Sequence, residues 1–267
     1  MRHLFGREGR RALDAALRTE ALLVFDFDGT LAPIVQRPDE ARVATEVSQR
    51  LDLLARLRPI AVVTGRSVAD VAQRLGFSPR FIVGNHGAED PERAPGFDGS
   101  ALNGLRAHLA AHGAELQAAG VQVEDKGLSL ALHYRRARDR SRALARIQAL
   151  LAQLDPGLRT FGGKCVVNVV LASAPDKGDA VASLVRRAGC ASAVFVGDDV
   201  NDEAVFARAS PSWITVRVGR DDPDSRAAFF LKSRSQMEAL LDLMLGLLRA
   251  APFSSPLPRH ARERGRG

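Results

Sequence analysis

The chain has 267 residues, 46% hydrophobic and 26% charged, which is ordinary for a soluble globular protein and enough to bury a full core in one large domain or two smaller ones. Its formal charge is +7 and its pI about 10.3. All but four of its 38 Lys and Arg residues are arginine, and acids are scattered among them, which argues for solvated surface and against a nucleic-acid stripe. The N-terminus has no apolar run of signal-peptide length, and the most apolar helix candidate, 237–248, is too short to span a bilayer and contains Asp242. Cys165 and Cys190 sit in apolar company without metal-ligand spacing, which predicts reduced, buried thiols and a cytoplasmic protein.

Residues 1–20 read as a polar helix on the edge of the core. A continuous apolar run, Leu22-Leu23-Val24-Phe25, then predicts a strand buried on both faces. It runs into Asp26-Phe27-Asp28-Gly29-Thr30, and alternation places both carboxylates on one side of the extended chain. Pro38-Asp39-Glu40 opens a helix predicted to reach Arg56. A second buried strand, 59–63, ends at Thr64-Gly65-Arg66. Ser67 and Asp70 form a capping-box pattern ahead of the apolar positions Val68, Val71, Ala72 and Leu75. A third short strand, 81–83, ends at Gly84-Asn85-His86-Gly87. Strand alternating with helix is the grammar of a parallel sheet, and its ligand edge lies at the carboxyl ends of the strands.

The grammar changes after a Pro- and Gly-rich stretch at 90–100. Helix 101–119, strands 121–124 and 128–134, helix 138–154 and strands 158–161 and 165–171 follow, with turns at 125–127 and 162–163. Helix, hairpin, helix, hairpin predicts a compact α+β unit inserted into the first fold, with hinges near 90–100 and 171–175.

The first grammar resumes at Asp176-Lys177, where Asp176 caps a helix that ends at Gly189. Strand 193–196 runs into Gly197-Asp198-Asp199, and Asn201-Asp202-Glu203 opens a short helix. Strands at 213–218 and 228–231 and a closing helix at 235–248 complete the fold. The tail rich in Pro, Ser and Arg is predicted to be disordered. The fold class is α/β: a Rossmann-like parallel-sheet core in two parts, 1–95 and 173–250, an α+β cap at 96–172, and the tail at 251–267.

Asp26 with Asp28, Thr64 with Gly65, Lys177, and Asp198 with Asp199 therefore meet at one sheet edge. Buried acids need a compensating charge, and Mg2+, a hard cation that takes oxygen ligands, supplies it. The order of acid pair, hydroxyl, lysine and acid pair resembles that of the haloacid dehalogenase-like phosphohydrolases, whose first motif is D-x-D-G-T. That resemblance implies a C2-type cap and attack on phosphorus by Asp26. It further implies proton transfer by Asp28, phosphate binding by Thr64, Gly65 and Lys177, and magnesium held by Asp26, Asp198 and the backbone carbonyl of Asp28. Asp199 and Asp202 would be supporting acids. The response-regulator receivers share the acids, the Thr and the Lys, but they lack D-x-D-G-T and an inserted cap.

Asp26-Phe27-Asp28-Gly29-Thr30-Leu31-Ala32-Pro33-Ile34, Gly84-Asn85-His86-Gly87-Ala88-Glu89, His133-Tyr134-Arg135 and the acids from Asp198 to Glu203 together look like the trehalose-6-phosphate phosphatases, across roughly 20–245. The resemblance implies a small sugar phosphate as partner, a monomer, and sugar contacts from Glu124, Lys126, Arg135 and position 168. That family usually carries Glu where this chain has Asn168, which leaves another sugar or polyol phosphate as the alternative substrate.

Overall fold

A computed structural model of the chain describes residues 1–35, 37–93, 98–220 and 222–250. The predicted tail at 251–267 and part of the first predicted hinge lie outside the described residues. The core strands are β1 (Arg2–His3), β2 (Ala21–Phe25), β3 (Ile60–Val63), β4 (Phe81–Val83), β9 (Ser192–Gly197), β10 (Ile214–Val218) and β11 (Phe229–Leu231). They form one parallel sheet in the order β1-β11-β10-β9-β2-β3-β4. The strand β1 at its edge went unread in the sequence, because two residues carry no pattern.

Side-chain alternation divides the sheet into two apolar layers. Leu23 and Phe25 of β2 pack with α1 (Arg7–Arg18), α2 (Thr45–Ala55) and α9 (Met237–Ala250). Leu22 and Val24 pack on the other face with α7 (Lys177–Arg187) and α8 (Glu203–Arg208). Covering both faces explains why β2 and β9 read as unbroken apolar runs ending in acids.

Several boundaries differ from the sequence reading. Pro38-Asp39-Glu40 makes only one 3-10 turn, and α2 starts at Thr45. The chain between them is extended because Val43 N–H donates to Arg74 O (3.0 Å). After Ser67 the helix α3 (Val68–Ala72) is short. Ser67 Oγ accepts from Asp70 N–H, but the Asp70 carboxylate is taken by Arg66 and Arg74, so the capping box is only half made. Both cysteines are partly exposed rather than buried.

The inserted unit is a separate antiparallel sheet built from β5 (Gln122–Asp125), β6 (Ser129–His133), β7 (Leu158–Gly163) and β8 (Val166–Leu171). Their order is β5-β6-β8-β7. The helix read over 101–119 is two pieces, α4 (Asn103–Ala111) and α5 (Gly113–Ala118), broken at His112. With α6 (Arg140–Leu150) they bury Leu130, Leu132 and Val169 on one face of this sheet. The register leaves Glu124, Ala131, Asn168 and Phe161 in one cross-strand row on the opposite face. The β7–β8 turn lies at Lys164-Cys165, two residues later than read, with Cys165 at φ 62°.

Candidate active site

Strand β2 delivers Asp26 to the sheet edge, where its N–H still donates to Val196 O (2.9 Å). The Asp26 carboxylate is buried, and Oδ1 accepts from Lys177 Nζ at 2.7 Å. Lys177 is the first residue of α7, whose start Asp176 fixes through a full capping box with Asp179. The same ammonium donates to Asp202 Oδ1 at 2.7 Å. Asp202 Oδ2 accepts from the N–H groups of Asp198 (2.8 Å) and Asp199 (2.9 Å), tying the end of β9 to the turn that follows it. Asp198 is only 2% exposed and accepts from Thr30 Oγ1 (3.2 Å) and, at Oδ2, from Lys164 Nζ (2.7 Å). Gly29 makes this proximity possible: at φ 86°, a Cβ there would stand 2.1 Å from Asp198 Oδ2.

The carboxylates of Asp26, Asp198 and Asp202 bring ligand atoms within 4.8 Å of one another. Three acids face two ammonium groups, Lys177 and Lys164, so negative charge is in surplus. Burial first, then Asp202, pushes Asp198 up to about 6 against the pull of Lys164. Burial pushes Asp26 up as well, against Lys177, with Asp202 and Asp198 adding to the rise. Burial disfavours the Lys177 ammonium, yet Asp202 and Asp26 outweigh it and hold the group above its usual range. An all-oxygen donor set with surplus negative charge fits a hard divalent cation such as magnesium. The acid read from the sequence as a supporting group, Asp202, is part of this cluster.

Asp28 lies apart from it. Arg66 grips its carboxylate by both oxygens, Nε to Oδ2 at 2.7 Å and Nη2 to Oδ1 at 2.8 Å, and also binds Asp70. The two acids of the motif thus share the strand end but face different cations, Lys177 and Arg66. Thr64 is fully buried, with Oγ1 accepting from Arg66 N–H (3.2 Å). Gly65 is required because the His86 ring occupies the space of a side chain there: a Cβ would lie 2.3 Å from its Cε1. Asp199 caps the turn after β9 and reaches the cap through Lys164 N–H (3.4 Å).

The cap sits closed on this edge. Lys126 Nζ donates to Gly65 O (3.0 Å), Ser129 Oγ donates to Asn85 Oδ1 (2.6 Å), and Lys164 reaches Asp198. Glu124 Oε2 pairs with His133 Nε2 (2.8 Å) and lies 3.7 Å from Lys126 Nζ. Burial opposes its charge, but His133 and Lys126 keep Glu124 below the usual carboxylate range. Asn168 is buried in the same row as Glu124, two strands away or about 10 Å. Arg135 is turned to the hairpin tip, where Nη2 donates to Lys164 O (3.1 Å), and so supports the tip from outside the row.

Sequence reading missed Arg66, Lys164, Thr30 and His86 as members of this site. Arg66 directly follows Thr64-Gly65, and Lys164 follows Gly163 at a hairpin tip, so both had a positional signal. His86 did not. Its ring is buried, both ring nitrogens lack a hydrogen-bond partner among the described residues, and its backbone is left-handed at φ 58°. Unpaired buried groups of this kind cost about 1–3 kcal/mol each.

Three comparisons bear on this arrangement. The trehalose-phosphatase family model matches residues 24–94 and 112–235. The trehalose-phosphate phosphatase of Mycobacterium marinum is 34% identical over 238 residues, covering 81% of this chain and 60% of that protein. The chain thus spans less than two thirds of the mycobacterial relatives it matches. A probable trehalose-phosphate phosphatase of Sinorhizobium fredii is 35% identical over 248 residues, covering 88% of this chain and 91% of that protein. Among solved structures, the C-terminal domain of the Candida albicans trehalose-6-phosphate phosphatase superposes with a TM-score of 0.75 at 22% identity, covering 89% of this chain and 97% of that one. A sugar phosphatase of haloacid dehalogenase (HAD) subclass IIB superposes at 0.57 with 14% identity, over 85% of this chain and 99% of that one. These structures establish the fold, a HAD-type Rossmann-like core with a cap, and the family match and the two sequence relatives establish more: the chain belongs to the trehalose-phosphatase family.

Proposed function

We propose that the chain is a magnesium-dependent phosphatase that hydrolyses trehalose 6-phosphate to trehalose and phosphate. The observation that carries this reading is the buried Asp26–Lys177–Asp202 chain beside Asp198, sealed beneath a cap row that presents Glu124 and Asn168. The names of the sequence relatives supply the substrate.

Lys177 holds Asp26 Oδ1 and leaves the other oxygen to attack phosphorus. That bond forms as the bond to the sugar oxygen breaks, giving an aspartyl-phosphate on Asp26. Asp28 protonates the departing sugar oxygen and then takes a proton from the water that cleaves the acyl phosphate. To do so it releases one oxygen from Arg66. Thr64, the Gly65 backbone and Lys177 stabilise the phosphoryl oxygens. A magnesium ion held by Asp26, Asp198 and the Asp28 carbonyl, with Asp202 alongside, would neutralise charge that otherwise repels the nucleophile from a dianion. The cap excludes water, and Glu124 and Lys126 bind sugar hydroxyls.

Asn168 favours a second reading with the same chemistry on another sugar or polyol phosphate. A buried amide forms weaker hydrogen bonds to a hydroxyl than a carboxylate does. Phosphate release from trehalose 6-phosphate, sucrose 6-phosphate, glucose 6-phosphate and glucosylglycerol phosphate, with magnesium or EDTA, decides between them. A strong preference for trehalose 6-phosphate supports the first reading, preference for another member supports the second, and no magnesium-dependent release from any contradicts both.

A further inference from the structure

His86 is a buried, unsatisfied side chain that the mechanism leaves idle. It belongs to the turn after β4, where Asn85 and His86 are both left-handed, at φ 47° and 58°. That turn is held hard. His86 N–H donates to Thr64 O (2.9 Å), Asn85 N–H donates to Arg66 O (2.8 Å), and Glu89 Oε2 accepts from Asn85 Nδ2 (2.7 Å) and Val68 N–H (2.9 Å). A conformation this costly, pinned by this many bonds, serves to place the ring.

The ring stands against Gly65 of the core on one side and meets Phe161 of the cap edge-on at 4.8 Å between centroids. Phe161 and Asn168 are direct cross-strand partners, so the ring lies under the row that also carries Glu124. The Asn168 amide lies near the imidazole without making a well-formed hydrogen bond to it. Among the described residues both ring nitrogens therefore lack a hydrogen-bond partner at the seam between the phosphate-binding strand end and the sugar-facing cap row.

We propose that His86 is a specificity-determining residue whose imidazole hydrogen-bonds a hydroxyl of the sugar that carries the phosphate, beneath the cap row of Glu124 and Asn168. The inference rests on the sugar-phosphatase reading and adds a recognition residue to it. One ring nitrogen donates and the other accepts, which matches the dual character of a hydroxyl. The charged groups facing the ring are Lys126 from the β5–β6 turn, Lys177 from α7 and Arg159 from β7; burial, Lys126 and Lys177 together keep the imidazole well below its usual range and hence neutral. The amide at position 168 preserves that neutrality, whereas a carboxylate there would favour the imidazolium.

The test compares the unaltered chain with His86→Asn, a residue that tolerates the left-handed backbone, and with Asn168→Glu. His86→Asn is expected to raise KM for the turned-over sugar phosphate by roughly tenfold, the value of one lost hydrogen bond to a hydroxyl, with kcat changed far less. Inhibition by inorganic phosphate, which carries no sugar, should keep its constant. In Asn168→Glu, the His86 ring proton resonance should titrate at higher pH than in the unaltered chain, and KM should acquire a pH dependence with the same midpoint. An unchanged KM in His86→Asn, an equal loss of phosphate affinity, or a KM in Asn168→Glu that stays flat while the ring titrates would each overturn the inference alone. No turnover of any sugar phosphate by the unaltered chain would overturn the functional reading and this inference with it.

Discussion

Lys164 Nζ stands 2.7 Å from Asp198 Oδ2, so the tip of a cap hairpin delivers a cation into the acid cluster of the core. The Asp198 carboxylate also belongs to the group that suits a divalent ion. Lys164 and the ion therefore compete for Asp198. Lys164→Ala should tighten magnesium binding to the substrate-free protein by roughly fivefold, in line with a partly exposed ion pair worth about 1 kcal/mol. Calorimetric titration with magnesium checks this, and weaker binding in the variant would contradict it.

The acid cluster also sets a pH dependence. Asp198 rises from 3.8 to about 6 in the folded chain, through burial first, and Asp26 moves the same way. Between these values the folded chain keeps protons that the unfolded chain has released. Without divalent ions, stability should therefore fall as pH rises from about 4 to 6, by on the order of 3 kcal/mol for Asp198. Magnesium binds the ionised acids, so its effect on the melting temperature should be larger above that window than below it. Thermal melts at several pH values, with magnesium and with EDTA, measure both effects; a melting shift independent of pH would contradict the assignment.

Gly29 gives a steric test of the same cluster. A methyl group at this position meets the Asp198 carboxylate at 2.1 Å, on a backbone already at φ 86°. Gly29→Ala should weaken magnesium binding by about tenfold or more while the fold persists. Circular dichroism and metal titration together read the outcome.

Arg66 is 11% exposed and holds both Asp28 and Asp70. Arg66→Ala should cost about 2 kcal/mol in denaturant unfolding, less than a fully buried pair because both carboxylates are partly exposed. If Asp28 is the proton carrier, kcat should fall more than KM rises, since the loss strikes proton transfer and spares binding. A variant that changes KM alone would assign Arg66 to substrate binding.

The parallel core was legible because its strands are buried on both faces and end in polar residues that burial alone does not explain, as at Asp26 and Asp198. Thr64 and the acids stand at such strand ends, whereas Lys177 stands at the helix start that Asp176 caps. Pairings that depend on the third dimension were not legible: Asp28 with Arg66, Lys164 with Asp198, and His86 against Gly65 join residues 38, 34 and 21 positions apart. Alternation alone put Asp26 and Asp28 on one side, whereas their carboxylates turn to different cations, Lys177 and Arg66. The helix predicted from Pro38 failed for a similar reason, since a long-range bond from Val43 to Arg74 outweighs local preference.

The most direct test of the account is turnover of trehalose 6-phosphate by Asp26→Asn beside the unaltered chain, in the presence of magnesium, with melting curves of both. The amide keeps the shape of the side chain and removes the nucleophile. The expected result is a folded variant with no measurable phosphate release, and an unaltered chain that carries a phosphoryl group on Asp26 when quenched in acid during turnover. A folded Asp26→Asn with full activity would contradict it.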